Sequence, residues 1–148
     1  AVADQEGELP IYDPGGSNAY SASLDSEFIS GHKDQYMVPA TTIDAHCAAH
    51  DLDPDLIKID VEGVEGKVLL GARETLSRKR AIILCEWLGH SEAHAQARAL
   101  LDEMDYVCVD IKLGKTVTIE TNQAHDERNI LLSPKHRVNA LLEKGPLT

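Results

Sequence analysis

Two acidic residues close short apolar runs, and their placement is the strongest chemical signal in the chain. Asp60 follows Leu56-Ile57-Lys58-Ile59, and Glu86 follows Ala81-Ile82-Ile83-Leu84-Cys85. Both runs read as strands, the second apolar enough to be buried on both faces. In a parallel sheet, ligands bind beyond the carboxyl ends of the strands, where the turns leave a crevice lined by helix N-termini. Neighbouring strands lie about 4.8 Å apart, so the two carboxylates can reach one small site. A pair of this kind can accept a hydroxyl proton, hold a divalent cation or bind ribose hydroxyls. Glu62 and Glu65 occupy the turn that follows, beside Gly63 and Gly66. They either join the site or open a helix whose dipole favours acids in its first turn, and Asp60 in that second reading is only a cap.

Other chemistries find less support. His90 lies four residues past Glu86 and is a general-base candidate, the alternative being an ordinary loop histidine. His46 and His50 have helical metal-ligand spacing, but no second ligand pair at fitting spacing accompanies them. The turn Val61-Glu62-Gly63-Val64-Glu65-Gly66 lacks both glycine-rich phosphate signatures, and its two glutamates repel phosphate. No Gly-x-Ser-x-Gly elbow appears, which argues against a serine hydrolase. Cys47, Cys85 and Cys108 are odd in number and widely spaced, so they read as free thiols of a reducing, cytoplasmic compartment.

The elements that position these residues follow from hydrophobic spacing. Residues 1–40 read as a loop and hairpin region, with an edge strand near Leu9 to Tyr12, a break at Pro14-Gly15-Gly16-Ser17-Asn18 and a brief strand from Tyr36 to Pro39. Residues 41–148 read as an α/β core. Thr42 caps a helix that runs through His50. Leu56–Val61, a helix from Gly66 to about Lys79, and Ala81–Cys85 make a βαβ unit. Ser91 caps a helix to about Met104, with Ala95, Ala99, Leu100 and Met104 facing the sheet. Tyr106–Ile111 is a strand that reverses at Leu113-Gly114-Lys115 into an antiparallel Val117–Glu120. Asn129–Leu132 is a last strand, and Pro134 opens a final helix that Gly145-Pro146 closes.

With 148 residues the chain fits a single domain. Its net charge of −11 is uneven: residues 1–57 hold eleven acids and one base, Lys33. That segment repels a phosphate backbone, and only six aromatic residues are available for base stacking, so nucleic acid is not an expected partner. No apolar run approaches the roughly 18 residues of a membrane span, and no basic-then-apolar leader opens the chain.

At the centre of the chain the residues resemble a known family. Val38-Pro39-Ala40-Thr41-Thr42-Ile43-Asp44, then Leu56-Ile57-Lys58-Ile59-Asp60-Val61-Glu62-Gly63-Val64-Glu65, then Val68-Leu69-Leu70-Gly71-Ala72, look like the signature of FkbM-type methyltransferases. Ala81 to Glu86 resembles their next strand, Ala1 to Glu8 their segment after the third strand, and Gly16-Ser17-Asn18 with Ser21 to Leu24 the loop behind it. The likeness covers most of residues 1–87; beyond Trp87 only the order of elements agrees.

The resemblance implies an S-adenosylmethionine-dependent O-methyltransferase on a Rossmann-like sheet. This chain would supply the C-terminal portion of that sheet: mainly parallel strands with a final antiparallel strand, and helices on both faces. It implies Asp60 and Glu86 around the reaction, beside the general-base candidate His90, with Asp4 and Asp60 toward the cofactor, and Ser17, Asn18, Glu62 and Glu65 toward a sugar, glycolipid or natural-product acceptor. The family's glycine-rich cofactor turn is expected upstream of Ala1. The first core strand, Leu56–Val61, then has an open edge, and self-association or an upstream half of the same domain is expected to cover it. Two other readings remain: a magnesium-dependent hydrolase or transferase built on Asp60, Glu62 and Glu86, and a non-catalytic interaction module.

Overall fold

A computed structural model describes residues 1–15, 22–28, 31, 34–88, 90–110, 115–119 and 129–142. The N-terminal region forms a hairpin, β1 (Gly7–Asp13) and β2 (Asp34–Ala40), antiparallel in register from Gly7 opposite Ala40 to Asp13 opposite Asp34. Pro10 is accommodated because this two-stranded sheet leaves each strand one open side. Both strands are longer than the sequence predicts.

Helix α1 (Ile43–Ala49) starts as expected, with Thr42 Oγ1 accepting from the Ala45 N–H at 3.0 Å, and it ends before Asp51, whose φ is +52°. Strand β3 (Leu56–Ile59) follows. The helix expected over residues 66–79 is two helices, α2 (Glu65–Leu70) and α3 (Arg73–Ser77). The break has a physical cause at Gly71. A Cβ there would overlap the Ala3 carbonyl, so the N-terminal segment crosses where the helix would have continued. Asp44 secures the restart. Its carboxylate accepts from the Glu74 and Thr75 N–H groups, each at 2.8 Å, and from the Thr75 hydroxyl at 2.7 Å, capping α3 from α1.

The chain continues with β4 (Ile82–Glu86), α4 (Glu92–Glu103), β5 (Tyr106–Asp110), β6 (Lys115–Val117), β7 (Asn129–Pro134) and α5 (Lys135–Leu142). Pro134 ends β7 and does not open α5. The reversal at 113–114 and the closing Gly145-Pro146 lie outside the described residues.

The other five described strands form a second sheet in the order β3-β4-β7-β5-β6. Only β3 and β4 pair in parallel; β4 with β7, β7 with β5, and β5 with β6 are antiparallel. The mainly parallel pairing expected from sequence is therefore corrected to a mixed α/β sheet. Strands β3, β4 and β5 share one direction, but β7 inserts between β4 and β5 in the opposite one. Strand β6 pairs with one side of β5, and β7 takes the other.

One face of the sheet carries the core. Ile59, Ile83, Cys85, Ile130, Leu132 and Cys108 meet Val68, Leu69, Leu76, Ala97, Leu100 and Leu101 from the helices. On the other face Val109 and Ser133 are buried and α5 packs against β5 and β7, with its Val138 buried, while Ile82, Leu84 and Leu131 are only half-buried. The buried side of α4 also differs from expectation. It consists of His94, Ala97, Leu100 and Leu101, while Ala95 and Ala99 are exposed.

Candidate functional site

The parallel register builds the site. Ile59 lies opposite Cys85, so Asp60 and Glu86 stand next to each other one step further along β3 and β4. On the other side of Glu86, Asn129 of β7 is its registered partner. Alternation of side chains along a strand puts Lys58, Asp60, Glu86 and Asn129 on the sheet face opposite the core. Sequence reasoning misses Asn129, because β7's place beside β4 is a long-range choice that local pattern does not encode.

The two acids have different electrostatic settings. The Lys58 ammonium donates to Asp60 at 3.0 Å. That hydrogen bond, helped by one shared with Glu86, holds the Asp60 carboxyl below its ordinary value of 3.8 despite some desolvation. Glu86 is pushed above its ordinary 4.5, first by desolvation and then by the hydrogen bond and the negative charge of Asp60. As pH falls, Glu86 therefore takes the first proton and can donate it to an Asp60 that stays ionised. The pair carries one shared negative charge over an intermediate pH range.

The turn after β3 is held tightly. Glu62 and Gly63 both adopt positive φ, +52° and +92°. Ser23 Oγ donates to the Glu62 carbonyl at 2.6 Å, and the Phe28 ring lies where a Gly63 side chain would begin. Residues 22–28 thus lie across the turn, while Ser17 and Asn18 fall outside the described residues. Only glycine combines this φ with so close a ring.

Glu65 faces inward. It is fully buried and accepts from the Gly63 N–H at 2.7 Å and, more weakly, from the Leu88 N–H at 3.4 Å. The fully buried His94 meets its other oxygen through Nε2 at 2.9 Å. Burial opposes ionisation of Glu65, yet the hydrogen bonds from His94 and Gly63 hold its carboxyl below 4.5. Glu65 thus opens α2, as one of the two readings of the turn expects, and ties α2 to α4 from inside the fold. Glu62 stays half-buried in the turn. His90 is exposed, and among the described residues no hydrogen bond or ion pair joins it to Asp60 or Glu86. His94 is the histidine the fold uses, and its position three residues after the Ser91 cap was the available signal. Asp4 is exposed next to Ala3, whose carbonyl meets Gly71 at the C-terminal end of α2.

His46 and His50 stack with ring centroids 4.5 Å apart. Among the described residues no three His, Cys, Asp or Glu side chains gather as a metal site. Cys47, Cys85 and Cys108 are all buried and free, and burial pushes the Cys85 thiol up, so it stays protonated. No helix among the described residues is long and apolar enough to cross a membrane.

Comparison with known families matches residues 1–108 to the methyltransferase FkbM domain, which carries the likeness past Trp87 through α4 and into β5. No curated protein and no solved structure matches the chain.

Proposed function

Because the chain belongs to the FkbM methyltransferase family, we propose that it takes part in methyl transfer from S-adenosylmethionine to an acceptor hydroxyl, at the Asp60–Glu86 pair. The observation that carries this reading is the parallel register that sets the Asp60 and Glu86 carboxyls side by side at the ends of neighbouring strands. In this reading the sheet is the C-terminal portion of a Rossmann-like methyltransferase sheet, with β3 and β4 as its fourth and fifth strands.

S-adenosylmethionine, when bound, supplies an electrophilic methyl group on a positively charged sulfur. An ionised Asp60, about half exposed, suits a cationic donor. Glu62, in the turn that follows, adds another carboxylate there and disfavours a phosphate-bearing one. Asp60 would accept a hydrogen bond from the acceptor hydroxyl and take its proton as oxygen replaces sulfur on the methyl carbon. A carboxylate held this low is a weak base, so most of its effect is orientation. Glu86, raised above its ordinary value by desolvation and by Asp60, stands beside Asp60 and helps to hold it in place. Three buried thiols suit a reducing compartment such as the cytoplasm.

The test is transfer of a labelled methyl group in the longest chain the reading frame encodes, paired with calorimetry. Asp60→Asn should lower turnover at least about a hundredfold, at the low end of general-base effects, with folding retained. Titration should show heat with S-adenosylhomocysteine and none with magnesium. Unchanged turnover, or heat with magnesium alone, would overturn the reading.

A further inference from the structure

Where α2 meets α4, three side chains form a relay that the methyl-transfer reading does not use. The Ser91 hydroxyl lies 2.9 Å from His94 Nδ1, and His94 Nε2 lies 2.9 Å from a Glu65 carboxylate oxygen. His94 and Glu65 are fully buried, whereas Ser91 is exposed and lines a cavity of about 400 Å³. A hydroxyl bonded to a base that a third group orients is the arrangement of a serine hydrolase, which is recognised by roles and not by chain order. We infer that Ser91 is a nucleophile, and that the cavity in front of it takes small neutral carboxylic esters and hydrolyses them through an acyl-serine.

The polarity of the relay runs in the direction this chemistry needs. Hydrogen bonds from His94 and the Gly63 N–H keep Glu65 ionised, so its carboxylate only accepts. The imidazole hydrogen facing it therefore sits on Nε2, which in the neutral ring leaves Nδ1 a lone pair for the Ser91 hydroxyl. Ser91 is the N-cap residue of α4, yet its side chain makes no capping bond. A capping serine gains about 1 kcal/mol from that bond, and here the hydroxyl turns to the imidazole instead. Trp87 steadies the ring from another side, edge-on with centroids 5.0 Å apart. The chain lacks a Gly-x-Ser-x-Gly elbow because the parts come from two helices: Glu65 opens α2, and His94 lies in the first turn of α4.

The cavity suits the substrate. Its volume falls at the small end of the roughly 300–1,000 Å³ typical of ligand sites. Tyr12, Leu24 and Val64 give it an apolar side for an acyl or alkyl group, and Asp25 and Glu92 outnumber Lys67, which disfavours anionic esters. Glu92 and Ala93 follow Ser91 and line the same space, and a helix leaves its first N–H groups without acceptors of its own. Those two N–H groups are the donors available to a developing oxyanion. In the reaction Ser91 Oγ bonds to the carbonyl carbon, its proton passes to His94 Nδ1, and the carbonyl π pair moves onto oxygen. Collapse breaks the ester C–O bond, and the alcohol leaves with the proton from His94. Water then attacks the acyl-serine, with His94 taking its proton and returning it to Ser91 as the carboxylic acid departs. Neither Asp60 nor Glu86 lines this cavity, so the inference stands apart from the methyl-transfer reading.

The experiment treats the whole chain with p-nitrophenyl acetate, follows release of p-nitrophenol above the spontaneous rate, and locates the transferred acetyl group by peptide mass spectrometry. The wild-type chain should turn over, with the acetyl group on Ser91. Ser91→Ala should lower release at least about a hundredfold while keeping the wild-type circular dichroism, since the lost hydroxyl caps nothing. Ser91→Cys should keep the acylation, now on sulfur, because a thiol beside the same histidine is a strong nucleophile. That variant tests the relay even where the alanine chain folds poorly. Acetyl groups confined to lysines or other residues, wild-type release by Ser91→Ala, or a Ser91→Cys chain that takes no acetyl group would each overturn the inference.

Discussion

Removing either half of the buried Glu65–His94 pair should be among the most damaging single changes available in the described structure. Both side chains are fully buried and meet at 2.9 Å. His94→Ala strips Glu65 of its only side-chain partner among the described residues, leaving a carboxylate supported by two backbone N–H groups. Breaking a buried pair on one side costs about 3–5 kcal/mol. That is a large part of a total stability of roughly 5–15 kcal/mol. Glu65→Leu should also be costly, because it leaves both the buried His94 Nε2 and the Gly63 N–H without their partner, at about 1–3 kcal/mol each. The double variant should be less damaged than the sum of the singles, with a coupling of about 2 kcal/mol. Urea unfolding measures this through Trp87, the sole tryptophan, whose ring lies edge-on to His94 with centroids 5.0 Å apart. The pH dependence has a definite sign. Glu65 is held below its ordinary 4.5, so the folded state binds fewer protons than the unfolded chain just under that pH. Its contribution is whole above about pH 4.5 and is lost as pH falls through the folded value. Single-variant costs below about 1 kcal/mol that simply add would refute the argument, since a buried charged pair cannot be both coupled and independent.

Three further outcomes follow from the same geometry. Gly66→Ala should cost about 1–3 kcal/mol by overpacking, because its Cβ would stand 2.6 Å from the Ala93 carbonyl carbon and the His94 nitrogen; a thermal midpoint at the wild-type value would contradict the close α2–α4 approach. Lys58→Met removes the main cause of Asp60's low value, so the acid limb of the turnover profile should move to higher pH, and an unmoved limb would dissociate Lys58 from the reaction. Strand β3 forms one edge of the described sheet, with Leu56 65% exposed, so purified chain should self-associate as concentration rises; sedimentation equilibrium showing monomer throughout would count against an edge that seeks a partner.

Much of the architecture is legible in local sequence, for reasons that differ by element. Thr42 and Ser91 announce their helices because capping residue types are few. The apolar run before Glu86 announces β4 because little else needs that pattern. The break between α2 and α3 is hidden, since it depends on Ala3 crossing Gly71 and on Asp44 reaching Thr75 from thirty-one residues away. Strand β7's insertion beside β4 is hidden for the same reason, and Asn129 with it. The inward face of α4 misleads because a histidine reads as polar and an alanine as apolar. His94 is buried because Glu65 waits for it, and Ala95 is exposed. The acids at 60 and 86 could be placed together from sequence because strand ends in a βαβ unit fall on one rim; the opposite roles of Glu62 and Glu65, two turn residues alike on paper, could not.

The account turns on Asp60 and Glu86 acting on each other, and carbon-13 NMR titration of the Glu86 side-chain carboxyl tests that directly. In the wild-type chain Glu86 should titrate above 4.5, and Asp60→Asn should bring its midpoint down, because the substitution removes the neighbouring charge and supplies an amide donor. A Glu86 midpoint that is the same with Asp and with Asn at position 60 would contradict the paired site.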